Sequence, residues 1–346
     1  RDTDRSRGLG DVYKRQTVFK RISNYYRTIN RMKYQFILPA YKRTYLKKAL
    51  ESILSQTYKN FEVIVIDDAS PEDLKSICDE FTDIRLHYYR NKVNIGRDNL
   101  CHMWKHCLKY ACSEYLILAS DDDMFEPEFL QLTDKYTQIY PTANILRCNT
   151  RIISGEGKVE KEDFTFTTDL FTLTEYMDTY FPQQVRCIAN TLYKTNWIKK
   201  HGFCEYDLAW HSDNMTAFMA AKDNGIVLIG EKILFNFRVS GINISSTNNT
   251  PSILRKAAAS SQYFSDLDIL IKDLPANWIK RKTIKFKYMR GARLLFFSYA
   301  YNVAPTYLTT IFKSIYANKL FEWSTPFSIL YKLLICILKS YKKSKP

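Results

Sequence analysis

A doubly wound α/β sheet with mostly parallel strands and helices on both faces is the fold class that the sequence predicts, and three observations carry the prediction. Apolar strand-like runs alternate with helix-spaced segments in the order β-α-β-α-β between residues 36 and 119. The strand-like runs are nearly all apolar, as in parallel strands covered on both faces. Three polar clusters, Pro39-Ala40-Tyr41, Asp67-Asp68 and Asp121-Asp122-Asp123, fall at strand ends, and ligands of such sheets sit beyond the carboxyl ends of the strands. From about residue 251 the chain is helical, aromatic and basic, a C-terminal extension to that sheet.

Phe36-Ile37-Leu38-Pro39 is a short apolar run ending in Pro, a buried strand that stops at a turn. Tyr45-Leu46, Ala49-Leu50 and Ile53-Leu54 then recur at helical spacing, with Thr44 as the expected N-cap. Phe61–Ile66, β-branched and almost wholly apolar, is the second strand. A helix is expected over about 71–80, a strand over 85–88, a helix over about 98–111 and a strand over 115–119. Beyond residue 126 the pattern is mixed: a helix over 126–140, a strand over 145–153 and a hairpin tip at Gly155-Glu156-Gly157-Lys158. Helical spacing returns around 171–181, 195–200 and 211–223, and 226–238 reads as a strand.

At 346 residues the chain can bury a sizeable core in one large domain or two small ones. Only 10 Gly and 10 Pro speak against a disordered or fibrous chain. A net charge of +15 would suit a nucleic-acid binder if it lay in the folded centre, but it does not. Residues 1–31 carry nine Lys/Arg and three Asp, and residues 275–346 carry fourteen Lys/Arg and Glu322 alone, while the centre holds 28 basic against 32 acidic residues. Basic ends around a mildly acidic centre argue against nucleic acid as the partner of the core. The eight Cys form no CxxC and the five His are too sparse to complete a zinc set, so reduced and mostly buried thiols are expected. Arg1–Gln16 is charged, lacks the apolar core of a signal peptide and reads as non-native translation, with Met32 as the expected start; the expected location is the cytoplasm.

Three adjacent carboxylates at a strand end repel one another unless a cation or buried donors offset their charge. Asp oxygens suit hard cations such as Mg²⁺ or Mn²⁺, which bridge to phosphates. The alternative is a solvated acidic loop, or acids placed near a helix N-terminus ahead of Pro127. Asp67-Asp68 at the end of an earlier strand favours the cation, since two acidic clusters then converge on one edge of the sheet.

Five motifs follow one another in order: Phe36-Ile-Leu-Pro-Ala-Tyr-Lys-Arg43, Ser52-Ile-Leu-Ser-Gln-Thr-Tyr58, Phe61-Glu-Val-Ile-Val-Ile-Asp-Asp-Ala-Ser70, Asn94-Ile-Gly-Arg-Asp-Asn99 and Tyr115-Leu-Ile-Leu-Ala-Ser-Asp-Asp-Asp123, the last with Glu126-Pro127 behind it. Together they resemble the family 2 glycosyltransferases of bacterial cell-surface polysaccharide synthesis, strongly over about 35–130 and more weakly to about 245. The resemblance implies a GT-A fold: a Rossmann-like nucleotide-sugar-binding half over 32–130 joined to an acceptor-binding half over 131–250. Residues 1–31 would then be a basic leader and 251–346 the helical basic extension. It implies an inverting, metal-dependent transfer from a nucleotide-sugar donor, a UDP-sugar, to a saccharide or lipid-linked saccharide, with Mn²⁺ or Mg²⁺ as cofactor. On that resemblance Pro39 and Tyr41 line the base pocket, Asp68 accepts a hydrogen bond from the uracil ring, Asp121 touches the ribose and Asp122 holds the metal. The family's metal motif is commonly Asp-x-Asp-Asp, and Ser120 stands at its first Asp, so Asp123 remains open beside Asp122 as a metal ligand. Arg97 and Asn99 match positions near the donor. Gly202-Phe-Cys-Glu205 and Trp210-His-Ser-Asp-Asn214 resemble the segment that supplies the catalytic base, with Ser212 in place of one acid and Asp213 in place of the next. Asp213 is therefore the implied base, with His211 the second choice. Arg238-Val-Ser-Gly-Ile-Asn-Ile-Ser245 resembles the segment that closes over the diphosphate, which makes Arg238 a diphosphate contact.

Phe327–Leu338 is mostly apolar, split by Lys332 and followed by Lys339, Lys342, Lys343 and Lys345. It is short for a membrane span and fits an interfacial helix on anionic lipid, at about 1 kcal/mol per basic residue near the surface. The alternative is a helix packed on the core. A peripheral place on the cytoplasmic face of the inner membrane would suit a lipid-linked acceptor. Two other functions stay open at this point. A nucleotidyltransferase would carry a Gly-rich loop after the first strand, where Pro39–Arg43 has no Gly; a non-catalytic sugar-nucleotide-binding or scaffold protein would tolerate Ser120 and Ser212.

Overall fold

A computed structural model describes residues 32–241 and 247–317, together with Ile329 and Tyr331. β1 (Tyr34–Ala40) leads through α1 (Leu46–Leu54) to β2 (Phe61–Asp67), α2 (Lys75–Cys78), β3 (Leu86–Arg90), α3 (Leu100–Cys107) and β4 (Tyr115–Leu118). These four strands pair in parallel in the order β3-β2-β1-β4. Every residue of β2 is buried, and every residue of β1 except Pro39. Continuous apolar runs are what a sheet covered on both faces demands.

The chain continues with β5 (Met124–Phe125), α4 (Phe129–Ile139), β6 (Ile145–Ser154), β7 (Val159–Glu162), β8 (Asp169–Phe171), α5 (Leu173–Glu175), β9 (Thr191–Lys194), α6 (Thr195–His201), α7 (Ser212–Asn224) and β10 (Ile226–Val239). β9 joins β4 antiparallel and carries the sheet on through β6, β10 and β5. β6 and β10 run parallel, and the expected turn at 155–158 folds β7 back onto β6. The ten-stranded sheet is thus mixed, parallel on its first side and of both senses beyond β4.

α8 (Thr250–Lys272), α9 (Trp278–Tyr301) and α10 (Leu308–Tyr316) form a C-terminal helical layer. They share one buried cluster with α3, α7 and one face of the sheet, including Ile64, Trp104, Phe218, Leu267 and Phe296. α1 and α4 cover the other face, where Phe36, Leu50, Val65 and Phe129 pack. Side chains alternate across a strand, so Ile37 enters the first core while Phe36 and Leu38 enter the second. Among the described residues no helix is long and apolar enough to cross a membrane. The apolar-basic segment from 327 onward, Ile329 and Tyr331 aside, lies outside the described residues, as does the leader. The seven Cys among the described residues are all free, and four of them are buried.

Three local expectations give way. The helix expected over 71–80 is a single turn, because Ser70 and Glu72 serve a loop: Ser70 N–H donates to Asp67 Oδ1 at 2.7 Å, and Arg43 N–H donates to Glu72 Oε2 at 2.8 Å. α3 starts two residues later than expected, where Asn99 Oδ1 caps the amide of Cys101 at 3.0 Å. Thr44 is not the cap of α1; Tyr45 holds that place without a side-chain hydrogen bond.

β1 lies between β2 and β4, and the strand order reverses there. β1 stays paired with β2 to Ala40↔Asp67, but its last pair with β4 is Ile37↔Leu118. Pro39 sits past that pair, where a missing N–H costs no bond to β4. The divergence of β4 from β1 opens a crevice at the switch point of the sheet.

Candidate active site

The crevice is a cleft of about 830 Å³, and three loops at strand ends make one of its walls. The loops are sewn together by short hydrogen bonds. Ser70 Oγ donates to the carbonyl of Tyr41 at 2.6 Å, and Asp68 N–H donates to the carbonyl of Ala40 at 2.9 Å. Asp67, wholly buried, accepts from Tyr88 OH at 2.6 Å and from Arg90. Asp68 accepts from Asn91 Nδ2 and Ile95 N–H on one oxygen, each at 2.8 Å, and from Gly96 N–H on the other at 2.7 Å. It therefore folds the 91–96 loop onto the cleft. That fit is close, since a Cβ on Gly96 would come 3.1 Å from Asp68 Oδ2 and 3.2 Å from Met103 Cβ.

The three aspartates after β4 are unequal. Asp121 Oδ2 accepts from the amides of Tyr41 and Lys42, both at 2.8 Å. Burial raises its pKa, and those two amides and the Lys42 charge oppose the rise. Burial, then the charge of Asp121, pushes Asp122 up to about 6, against the pull of Lys42, Ser120 and Arg238. Asp123 is almost fully buried and turned into the protein: Oδ1 accepts from Arg238 N–H at 2.8 Å and Oδ2 accepts from Ser120 Oγ. Burial, and next the charge of Asp122, holds its pKa well above the usual carboxylate range.

The facing wall comes from residues 186–189 and 208–211, the start of α7, and α8. Asp213 lies in the first turn of α7 and borders the cleft with Asn214. Burial raises its pKa, opposed first by the charge of Arg147, with Arg186 also lowering it. Arg147 is fully buried in β6, donating to Thr191 Oγ1 at 3.0 Å and to Tyr176 OH at 2.5 Å. Ser212 points away from the cleft, accepting from the amide of Tyr206 at 3.1 Å and from Cys101 Sγ at 3.2 Å. Trp210 is fixed by donating Nε1–H to Tyr299 OH at 2.7 Å, and Lys256 lies over its ring at 4.7 Å.

Residues 35–202 match the model of glycosyl transferase family 2. They are a family 2 glycosyl transferase domain. An uncharacterised glycosyltransferase of Rickettsia felis is 28% identical over 175 residues, covering 44% of this chain and 28% of the relative. The putative colanic acid biosynthesis glycosyl transferase WcaA of Escherichia coli is 30% identical over 122 residues, 34% of this chain and 43% of WcaA. The chain thus spans less than half of either curated relative. Among solved structures, S. aureus TarS in complex with UDP-GlcNAc superposes with a TM-score of 0.62 at 16% identity, over 91% of this chain and 93% of that one. The shared fold is GT-A, as the sequence motifs imply.

The cleft gathers Pro39, Tyr41, Asp68, Arg97, Asp121, Asp122 and Asp123 from this family 2 domain and Asp213 from beyond the matched residues. Tyr41 and Arg97 are exposed. Three of the expected residues are held in other contacts. Arg238 is buried: its Nε donates to the carbonyl of Asp122 at 2.8 Å, and Nη1 donates to the carbonyls of Ser154 and Gly155 at 3.2 and 2.9 Å. It clamps the aspartate loop from behind, over the ring of Tyr45. Asn99 is a helix cap that also accepts from Ala209 N–H at 3.2 Å, so it braces the facing wall. His211 is a poor proton acceptor, because burial and then the Arg186 charge lower its pKa to about 3, while its ring stacks on Tyr263 with centroids 4.4 Å apart. Residues 242–246 of the expected closing segment lie outside the described residues.

Sequence reasoning missed Lys42, Arg186, Trp210 and Lys256, all of which border the cleft. Lys42 and Trp210 had a signal, their places inside the first motif and inside the Trp210–Asn214 segment. Arg186 and Lys256 stand in no motif that marks them.

Proposed function

We propose that this chain transfers a sugar, with inversion, from a uridine diphosphate sugar to a hydroxyl of a saccharide or lipid-linked saccharide. The observation that carries the proposal is the switch-point cleft with Asp68, Asp121 and Asp122 on one wall and Asp213 on the other. TarS, which shares the fold, is found with UDP-GlcNAc, and this supports a UDP-sugar as donor. WcaA bears a name from colanic acid biosynthesis, which supports a role in polysaccharide synthesis.

Pro39 and Tyr41 would flank the base, Asp68 would accept from it, and Asp121 would meet the ribose. Asp213 takes the proton of the acceptor hydroxyl as that oxygen attacks the anomeric carbon, and the bond to the diphosphate breaks on the opposite face. Burial strengthens Asp213 as a base, and the charge of Arg147 moderates that effect. Asp122, with Asp121 beside it, is the group that fits a divalent cation, since its buried carboxylate has a raised pKa that a positive charge would relieve. Asp123, with both oxygens engaged inside the protein, fits that role less well. Among the described residues no three His, Cys, Asp or Glu form a closed metal cage, so the remaining ligands would be phosphate and water oxygens. When bound, Mn²⁺ or Mg²⁺ offsets charge on the departing diphosphate. Arg97 would lie over the donor from the rim. The segment from 327 onward would hold the enzyme on an anionic membrane near a lipid-linked acceptor.

Release of nucleoside diphosphate from a panel of UDP-, GDP- and dTDP-sugars tests the proposal. UDP release that depends on acceptor and divalent cation is expected. Tight UDP-sugar binding without transfer or slow hydrolysis would establish the non-catalytic alternative instead.

A further inference from the structure

Among the described residues, one side of α9 is packed and the other is exposed. Ile284, Tyr288, Ala292, Phe296 and Tyr299 are buried against the core. On the outer side Ile279, Phe286, Leu294 and Tyr301 are 60%, 60%, 54% and 57% exposed. Spacings of seven and eight residues place them on one stripe of an α-helix. Trp278, at the start of the helix, is 66% exposed. A lone exposed apolar side chain needs no explanation, but a stripe of them running about six turns does.

The same 24 residues carry seven Lys or Arg and no Asp or Glu. Lys280 and Lys287 pair with Asp178, and Lys285 pairs with Asp268. Lys282 and Arg290 stand exposed between the apolar members of the stripe.

We propose that the outer stripe of α9 docks on an anionic lipid surface, its apolar side chains entering at headgroup depth and its Lys and Arg heads meeting lipid phosphates. The composition discriminates among occupants. A soluble polyanion would use the charges but gain nothing from Ile279, Phe286 and Leu294. The chain's own residues 318–346 hold six Lys and one Glu, so their charge repels this face. A second copy of the stripe is repelled for the same reason. An anionic bilayer answers both features at once. On its inner side α9 reaches the cleft, since Tyr299 accepts from Trp210. If the proposed transfer to a lipid-linked acceptor holds, this helix would seat the acceptor wall at the lipid. The docking itself rests on the helix surface alone.

Sedimentation of the full chain with phosphatidylglycerol–phosphatidylcholine vesicles, against phosphatidylcholine alone, tests the proposal without involving transfer. Binding only to the anionic vesicles, falling with salt, is expected. Phe286→Ser with Leu294→Ser should weaken partitioning about tenfold or more, and Lys282→Glu with Arg290→Glu should do the same. Brominated lipid should quench a component of emission that Trp278→Phe removes. Circular dichroism and thermal midpoints like those of the unaltered chain show that the variants are folded. Three outcomes would overturn the proposal: no binding to anionic vesicles, α9 variants that partition undiminished, which would leave the contact to the segment from 327, or equal binding to dextran sulfate that the Ser substitutions leave intact.

Discussion

The two walls of the cleft are put together differently. The donor wall takes its side chains from three strand ends, each a short run of sequence, and its ties are largely main-chain amides on carboxylates: Tyr41 and Lys42 on Asp121, Ile95 and Gly96 on Asp68. The facing wall draws Arg186, Trp210, Asp213 and Lys256 from separate segments. Its ties run from side chain to side chain: Arg147 to Tyr176, Trp210 to Tyr299, His211 to Ser260. Amide ties follow from strand order and survive changes of residue elsewhere. Side-chain ties exist only while distant residues keep one another's company. The first wall suits a constant ligand, the second a ligand that differs between enzymes.

That contrast can be broken at its strongest point first. Asp213→Asn should lower kcat about a thousandfold with little change in donor KM, read by diphosphate release; an unchanged kcat would place the base elsewhere. Asp122→Asn should lower kcat/KM about a hundredfold while stabilising the fold. Its folded pKa of about 6 exceeds the ordinary value of 3.8, so in that window the folded chain holds a proton that the unfolded chain has lost. Stability from this group is therefore greatest below about pH 4 and falls as pH rises to about 6. The variant should melt higher than the parent at about pH 7.5 and equally near pH 4, and Mn²⁺ should raise the melting point of the parent alone. Arg238→Met should cost about 3 kcal/mol in denaturant titration, because the Asp122, Ser154 and Gly155 carbonyls lose a buried donor. A loss confined to donor KM, with stability intact, would restore Arg238 to the diphosphate. Gly96→Ala is the mildest probe: crowding Asp68 by one methyl should raise donor KM about threefold and leave kcat alone.

How far each wall could be read from sequence follows from the same difference. β1, β2 and β4 were legible because strands buried on both faces leave unbroken apolar runs, and their polar ends stand out against them. β5 and β8 have two and three residues, too few to show any period. Around Tyr176–Tyr180 a π-helical turn defeats the 3.6-residue spacing. Within the site, Asp121, Asp122 and Asp123 look alike as letters. What separates them is the amide of Arg238, 115 residues further on, which takes Asp123 into the interior. Arg238 is assigned to the diphosphate by the resemblance of 238–245 to a closing segment, and no local pattern announces the carbonyls folded around it. Arg186 and Lys256 belong to the wall that side chains hold together, where no local pattern marks them.

The clasp of Asp121 on the amides of Tyr41 and Lys42 spans 80 residues of sequence. It gives the loop that would grip the base and the loop that would grip the cation a common hinge pin. Neither can be remodelled alone. An attempt to switch this protein to a purine donor by rebuilding residues 39–43 would drag the aspartates with it, and compensating changes around 120–123 would be needed before the new pocket could be judged.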